Sequence, residues 1–417
     1  MDFMSRTIAF NTLAGDLRLA LRNVLRQRRR SVIAVIAIGF GVVAMMLTAG
    51  FIEWIFWATR EGIAVTQTGH IQVVKPGYHE NGQADPFAYL LPEESPALRA
   101  LQEIQGVNTV TPRLEFNGLV SYGDNTLSFI AKGIEPTLDP SLRYLIVLQG
   151  DRLRLDDPKG ILMGAGLAAN LGASVGETVV LLSGTQKGGM NAVEARIQGL
   201  VSTSMKSHDD IILRIPIDMA RRLLRVSGAH VWVASLQDTD MTDSVVEHLQ
   251  REESLKTYEI SPWIKLADFY NKTVSLLTQQ INVVKLIIVT IIVLSTSNTM
   301  TMAVMERTVE IGTAMALGVR AWRILVLFLL EGILLGVIGG SGGVVLGYLL
   351  ATVISWIGIP MPPSPGMSRG FTAAIIITPR IILEALLLAA MTTLIASIYP
   401  AWRASRLVIV DALRHNR

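Results

Sequence analysis

The 417-residue chain contains no cysteine, which excludes disulfides, thiolate zinc sites, iron–sulfur clusters and cysteine nucleophiles while leaving the compartment open. It also lacks any Gly-x-x-x-x-Gly-Lys-Ser/Thr run, so it has no phosphate-binding loop of that kind. Charge is scarce at 17% and nearly balanced: 37 Lys+Arg against 34 Asp+Glu give a net +3, which does not argue for nucleic acid. The six histidines, His70, His79, His208, His230, His248 and His415, are too scattered to form a ligand set by spacing. Ser207-His208-Asp209 has the residue types of a hydrolase triad, but consecutive side chains point in different directions and read as a polar loop. Gly164-Ala-Gly166 follows a strand like a dinucleotide fingerprint, without the βαβ repeat or the acidic partner that chemistry needs. These absences predict a chain that is not an enzyme and holds no metal or cofactor of its own.

What the chain has is apolar sequence. Half its residues are hydrophobic, and they concentrate in four blocks nearly free of charge. The reading is four transmembrane helices at 31–57, 281–305, 324–356 and 381–398. The first block is too long and too late for a cleaved signal peptide, and Lys285 sits where it can snorkel to the interface. Segments 1–30, 306–323 and 399–417 are then cytoplasmic, with both termini inside, because segments 1–30, 305–323 and 399–417 hold 14 basic residues against 5 acidic ones. Residues 58–280 hold 20 basic and 26 acidic residues and belong outside, as does the proline-rich loop 357–380. Leu17 to Arg30 places Leu17, Leu21, Val24 and Leu25 on one helical face, which suits an amphipathic helix on the inner leaflet or a plain positive-inside anchor.

The outer segment shows short strands at Gly69–Lys75 and Leu127–Ile134, helices at Pro96–Ile104 and Asp240–Arg251, and a β-rich run from Thr178 to Leu213. The fold class expected is therefore a membrane α-helical protein with a large α+β periplasmic domain of two subdomains inserted between helices 1 and 2. Changes of pattern put the subdomain boundaries near 150 and 229. No Gly or Pro interrupts the chain from Trp263 into the second block or from the first block to Gly62, so both helices should continue outward as stalks.

Three groups of residues stand out. Gly336/Gly340, Gly339/Gly343 and Gly343/Gly347 repeat at four-residue spacing in the third block, which lets another helix approach closely, within the subunit or between subunits. Glu331 in the same block is costly in lipid and should face protein, water or a partner. Between blocks two and three, Glu306-Arg307-Thr-Val-Glu310-Ile311-Gly312-Thr-Ala-Met-Ala-Leu317-Gly318-Val-Arg320 reads as a short helix. Its apolar side is Val309, Ile311, Met315 and Leu317, and Gly318 suits its C-terminal cap.

That last run resembles the coupling segment of the FtsX-like ABC transporter permeases, which include lipoprotein-releasing permeases and the membrane part of MacB-type exporters. Ala20-Leu-Arg-Asn-Val-Leu-Arg-Gln-Arg-Arg-Arg-Ser31, Phe328-Leu-Leu-Glu-Gly332 and Pro400-Ala-Trp-Arg-Ala-Ser-Arg-Leu agree with the same family, and the resemblance covers essentially the whole chain. Ile409-Val-Asp-Ala-Leu-Arg414 departs from it in lacking the usual proline. The resemblance implies a bacterial inner-membrane permease that docks Glu306, Arg307, Glu310, Ile311, Gly312, Leu317, Gly318 and Arg320 against a separate cytoplasmic ATPase. Two ATPase subunits, which carry the ATP and Mg, would serve a permease homodimer or a pair with a sister permease. It further implies contact with membrane lipids and extraction of a lipoprotein or similar amphiphile toward a periplasmic carrier. The family's other activities are export of small molecules or peptides and signalling to a cell-wall hydrolase.

Overall fold

The computed structural model describes residues 15–408 apart from 83, 155, 204–205 and 363–369; the side chains of 143 and 144 are also left out. The departing element at 409–414, His415 and residues 363–369 of the proline-rich loop lie outside the described residues. Two compact units divide the chain: one takes the chain up to Phe56, Val274–Ile359 and the chain from Thr372, the other Trp57–Thr273 and Pro360–Phe371.

The helical unit follows from its composition, since a backbone in lipid must satisfy its own N–H and C=O groups. Helix α1 covers residues 15–26 and is followed, after a turn at Gln27, by α2 (Arg28–Glu61). Among the described residues, four helices are long and apolar enough to cross a membrane. The shortest has 27 residues, about 40 Å at 1.5 Å per residue, against a hydrocarbon core of about 30 Å. A core of Ile38, Val42, Met46, Ile292, Phe328, Leu335, Ala389 and Ala401 joins residues from all four. Gly62 does not stop the first helix; the chain winds on as a π-helical segment, Gly62–Gln67.

The α+β unit is a mixed sheet. Its strands are β1 (Ile71–Val74), β2 (Val107–Tyr122), β3 (Asn125–Ile134), β4 (Ile146–Gly150), β5 (Gly160–Gly164), β6 (Thr178–Gly184), β7 (Met190–Ser202), β8 (Ile212–Pro216), β9 (Val231–Leu236) and β10 (Glu259–Pro262). Their order is β10-β1-β9-β2-β3-β8-β5-β7-β4, with β6 pairing β2 and β7. Helices α3 (Pro96–Glu103), α4 (Ala165–Leu171), α5 (Ile217–Leu224) and α6 (Thr242–Arg251) lie among these strands in sequence. Ser95 caps α3 by accepting the Leu98 N–H at 3.1 Å, with Pro96 in the first turn.

The division into two cores differs from the boundary expected near 150. Val107–Arg113 of β2 pairs with β9, whereas Leu114–Tyr122 pairs with β3. One core gathers Ile71, Leu101, Val110 and Trp232, the other Leu114, Phe129, Ile161 and Leu213. The chain therefore passes between cores inside one strand. The change of pattern near 150 marks only the loop after β4.

The remaining long helices are α7 (Asp268–Glu306), α8 (Thr308–Ala316), α9 (Ala321–Ile357) and α10 (Pro379–Ser405). The continuous helix expected from Trp263 is broken at Ala267, whose φ of −100° and ψ of 57° are not helical, so Trp263–Leu266 forms a separate turn. Lys285, expected to snorkel, has its Nζ 2.8 Å from Glu384 Oε2, and Arg380 holds the other oxygen at 3.0 Å. An apolar surround favours that pair over an isolated charge.

The glycines of α9 fill two faces within the subunit. A Cβ at Gly336 would lie 2.1 Å from Thr393 Oγ1 of α10, and one at Gly343 2.8 Å from the Gly39 carbonyl of α2. Gly340 faces Ala389 and Gly347 faces Met46. Gly336→Leu should therefore force α9 and α10 apart and leave little folded protein, while Gly342→Ala, where a Cβ meets nothing within 4 Å, should be tolerated. Monodispersity of both variants after detergent extraction checks this.

Candidate coupling site

Helix α8 begins after Arg307 and ends by a glycine rule. Gly318 adopts φ +92°, its N–H bonds the Met315 carbonyl at 3.0 Å, and the Val319 N–H reaches the Ala314 carbonyl at 3.1 Å. This pair of bonds is a Schellman closure, which a residue with a Cβ would strain. The inner side of α8 is apolar: Ile311 is buried in the apolar core of the helical unit and Met315 packs against that core. Leu317, expected on that side, is instead 83% exposed, and Trp322 is 70% exposed. With exposed Arg320 and Arg323 they form an apolar, basic tip at the α8–α9 turn.

Three other charged residues of the segment pair with the rest of the subunit: Arg307 is turned inward, while Glu306 and Glu310 stay half exposed. Glu331 of α9 is buried and its Oε1 accepts from Asn23 Nδ2 at 2.6 Å and from the Arg307 guanidinium at 3.1 Å. Arg307 also lies 5.8 Å from the centre of the Phe328 ring and reaches Glu310 at 3.4 Å. Arg26 pairs with the other oxygen of Glu310 at 2.9 Å, and Arg30 pairs with Glu306. Of the eight residues expected to meet an ATPase, only Leu317, Gly318 and Arg320 lie at the exposed tip. Glu306, Arg307 and Glu310 are engaged by other parts of the chain, and Ile311 and Gly312 are buried. Asn23, Arg26 and Arg30 lie in the Ala20–Ser31 run that carries the family resemblance, but the sequence assigned them no contact with this segment, although their spacing places them on one helical face.

The α+β unit holds a second charged centre. Arg113, 2% exposed, grips Asp139 through two bonds of 2.7 and 2.9 Å and donates to the Gln67 carbonyl at 3.2 Å. Lys132 donates to the same carbonyl at 3.2 Å and pairs with Glu115 at 2.7 Å. Burial opposes ionisation of Asp139, but Arg113 and the Ser141 N–H hold its carboxyl below the usual range. Lys132 likewise overcomes burial and brings Glu115 down to about 2.

A cavity of about 590 Å³ in this unit is lined by Trp57, Arg60, His70, Ser235 and Asp238 among others. His70 Nδ1 accepts the Leu236 N–H at 3.3 Å and Nε2 meets Thr239 Oγ1 at 3.1 Å, whose hydroxyl donates to Glu61 at 2.9 Å. No group of three or more His, Cys, Asp or Glu among the described residues could hold a metal ion. At the glycine pair, a Cβ on Gly166 would lie 1.9 Å from Asp210 Oδ1 and one on Gly164 2.2 Å from the Asp209 carbonyl. Those glycines permit close packing of the 209–210 loop. Ser207, His208 and Asp209 lie in a short helix, Lys206–Asp209, rather than the loop expected, and Asp209 accepts from Ser202 and Thr203, which ties that helix to the end of β7.

Comparison with known proteins is consistent along the chain. The MacB-like periplasmic core domain family matches residues 31–252, and the FtsX-like permease C-terminal family matches residues 282–409. An uncharacterized ABC transporter permease of Methanocaldococcus jannaschii is 24% identical over 80% of this chain and 83% of that one. The macrolide export ATP-binding/permease protein MacB of Escherichia coli is 22% identical over 82% of this chain and 53% of its own length, so the chain spans about half of that relative. The solved periplasmic region of MacB from Actinobacillus actinomycetemcomitans is 16% identical, covering 52% of this chain and 97% of that one with a TM-score of 0.37.

Proposed function

Because this chain belongs to the MacB-like, FtsX-type family of ABC transporter permeases, we propose that it receives ATP-driven motion at the α8–α9 turn and passes it to its periplasmic domain. The chain would sit in the bacterial inner membrane with both termini cytoplasmic, pair with a second permease chain and engage two ATPase subunits, which supply the ATP and Mg. The observation that carries this reading is the exposed tip of Leu317, Val319, Trp322, Arg320 and Arg323. A large apolar side chain left almost wholly in water beside cations suits a partner's groove. The work performed would be extraction of a lipoprotein or similar amphiphile from the outer leaflet, as the resemblance to lipoprotein-releasing permeases implies.

Leu317→Asp places a charge at the tip without touching the buried side of α8. It should lower co-purification of the ATPase by about tenfold or more while leaving folding and insertion intact. Wild-type recovery of the ATPase by that variant would remove the tip from the interface. Mass spectrometry of the purified complex tests the cargo: co-purifying lipoprotein or lipid released by ATP supports extraction. A bound hydrolase with no cargo would assign the complex to signalling instead.

A further inference from the structure

Asn23, Arg26 and Arg30 follow one another at three- and four-residue spacing, and each ends on a carboxylate far away in sequence: Glu331, Glu310 and Glu306 respectively. Contacts of the two arginines run in opposite senses along the chain, Arg26 with Glu310 and Arg30 with Glu306, so two rungs join antiparallel stretches. The rungs are backed by packing: Val24 of α1 and Ile311 of α8 are buried in the same apolar cluster. A small crevice of about 150 Å³ lies among Asn23, Arg26, Gln27, Glu306, Arg307 and Glu310. Arg22 and Arg29, exposed on the same stretch, make none of these contacts.

We propose that this ladder makes the N-terminal helix part of the coupling apparatus, clamping the first span to the segment that the ATPase moves. Helix α8 is joined to α7 and α9 by the chain itself, but nothing covalent joins it to α2. The ladder supplies that link, so displacement of α8 reaches the first span at the same time as the second and third. Arg26 and Arg30 are positioning residues, and their charge serves protein contacts in addition to any attraction to the inner leaflet. This inference rests on the reading of α8–α9 as the ATPase docking site.

The test uses the full chain with its ATPase in lipid vesicles and exploits the absence of cysteine. Spin labels on cysteines introduced at Ile36 and Leu349, both exposed, report the distance between the first and third spans with and without ATP. Wild type and the control Arg22→Glu/Arg29→Glu should show an ATP-dependent change of distance. Arg26→Glu/Arg30→Glu should retain the ATPase yet lose at least about four-fifths of that change, a loss beyond the reach of one exposed pair but expected of a broken network. Adding Glu306→Arg/Glu310→Arg to that variant should restore it. Full movement in Arg26→Glu/Arg30→Glu overturns the proposal, and so does an equal loss in the control, which would assign the arginines to lipid anchoring. Failure of the fourfold exchange to rescue also counts against it. If wild type itself neither holds the ATPase nor answers to ATP, the docking reading fails instead.

Discussion

Asp139→Ala should be among the most damaging single substitutions in the α+β unit. It leaves the Arg113 guanidinium buried without the carboxylate it bonds and removes two bonds of 2.7 and 2.9 Å. Breaking a buried pair by deleting one partner costs about 3–5 kcal/mol, because the remaining ion has lost its water and gained nothing in return. The damage should spread, since Arg113 also ties the Gln67 carbonyl at the end of the π-helical segment. Replacing the pair together, Arg113→Met/Asp139→Leu, should recover much of that stability. Unfolding temperatures of the full chain in detergent measure both variants, and a loss no greater for the single than for the double substitution would contradict the account.

The second large effect is a loss of stability on acidification centred on His230. This side chain is fully buried, stacks on Tyr78 with ring centroids 5.9 Å apart, and accepts the Glu115 N–H on Nδ1 at 3.1 Å. Burial pushes its pKa down to about 4, with Glu115 opposing that shift. A base whose folded pKa is depressed is protonated more readily when unfolded. Stability is therefore fully present above about pH 6.5 and falls as pH drops from there toward 4. Asp139 and Glu115, whose carboxyls are depressed, add a further loss at lower pH, below the ordinary carboxylate range. His230→Asn keeps an acceptor for the Glu115 N–H but cannot titrate. It should reduce the slope between pH 6.5 and 4, the remainder coming from His70, His79 and His208, which burial also depresses, while leaving the fall below it. An unchanged slope in that window would exclude His230 as its source.

Some of this was legible in the sequence for specific physical reasons. Blocks of about 18 or more mostly apolar residues nearly free of charge have few alternatives to a spanning helix, and the four-residue glycine spacing in α9 marked close packing before any partner was known. Spacing could not say that Gly336 and Gly340 face α10 while Gly343 and Gly347 face α2, because that depends on how three helices are arranged around one another. Glu331 was conspicuous by its cost in lipid, yet its partner Asn23 lies 308 residues away and no local pattern links them. The same holds for Arg113 and Asp139, separated by a hairpin and a turn. Leu317 was misplaced because, six residues on from Ile311, it lies about 120° round a helical wheel from that buried residue, and the helix stops before it at the Gly318 closure, which leaves it outward. The shared strand β2 was invisible for a related reason. Sixteen residues of continuous strand carry no mark where one core ends and the other begins.

The central claim is that the α8–α9 turn is cytoplasmic and covered by an ATPase, and one labelling experiment addresses it directly. Leu317→Cys in this cysteine-free chain should react with a membrane-impermeant maleimide in inverted vesicles and not in intact spheroplasts, and bound ATPase should slow that reaction about tenfold or more. Reaction from the periplasmic face only, or at the same rate with and without the ATPase, would contradict the account.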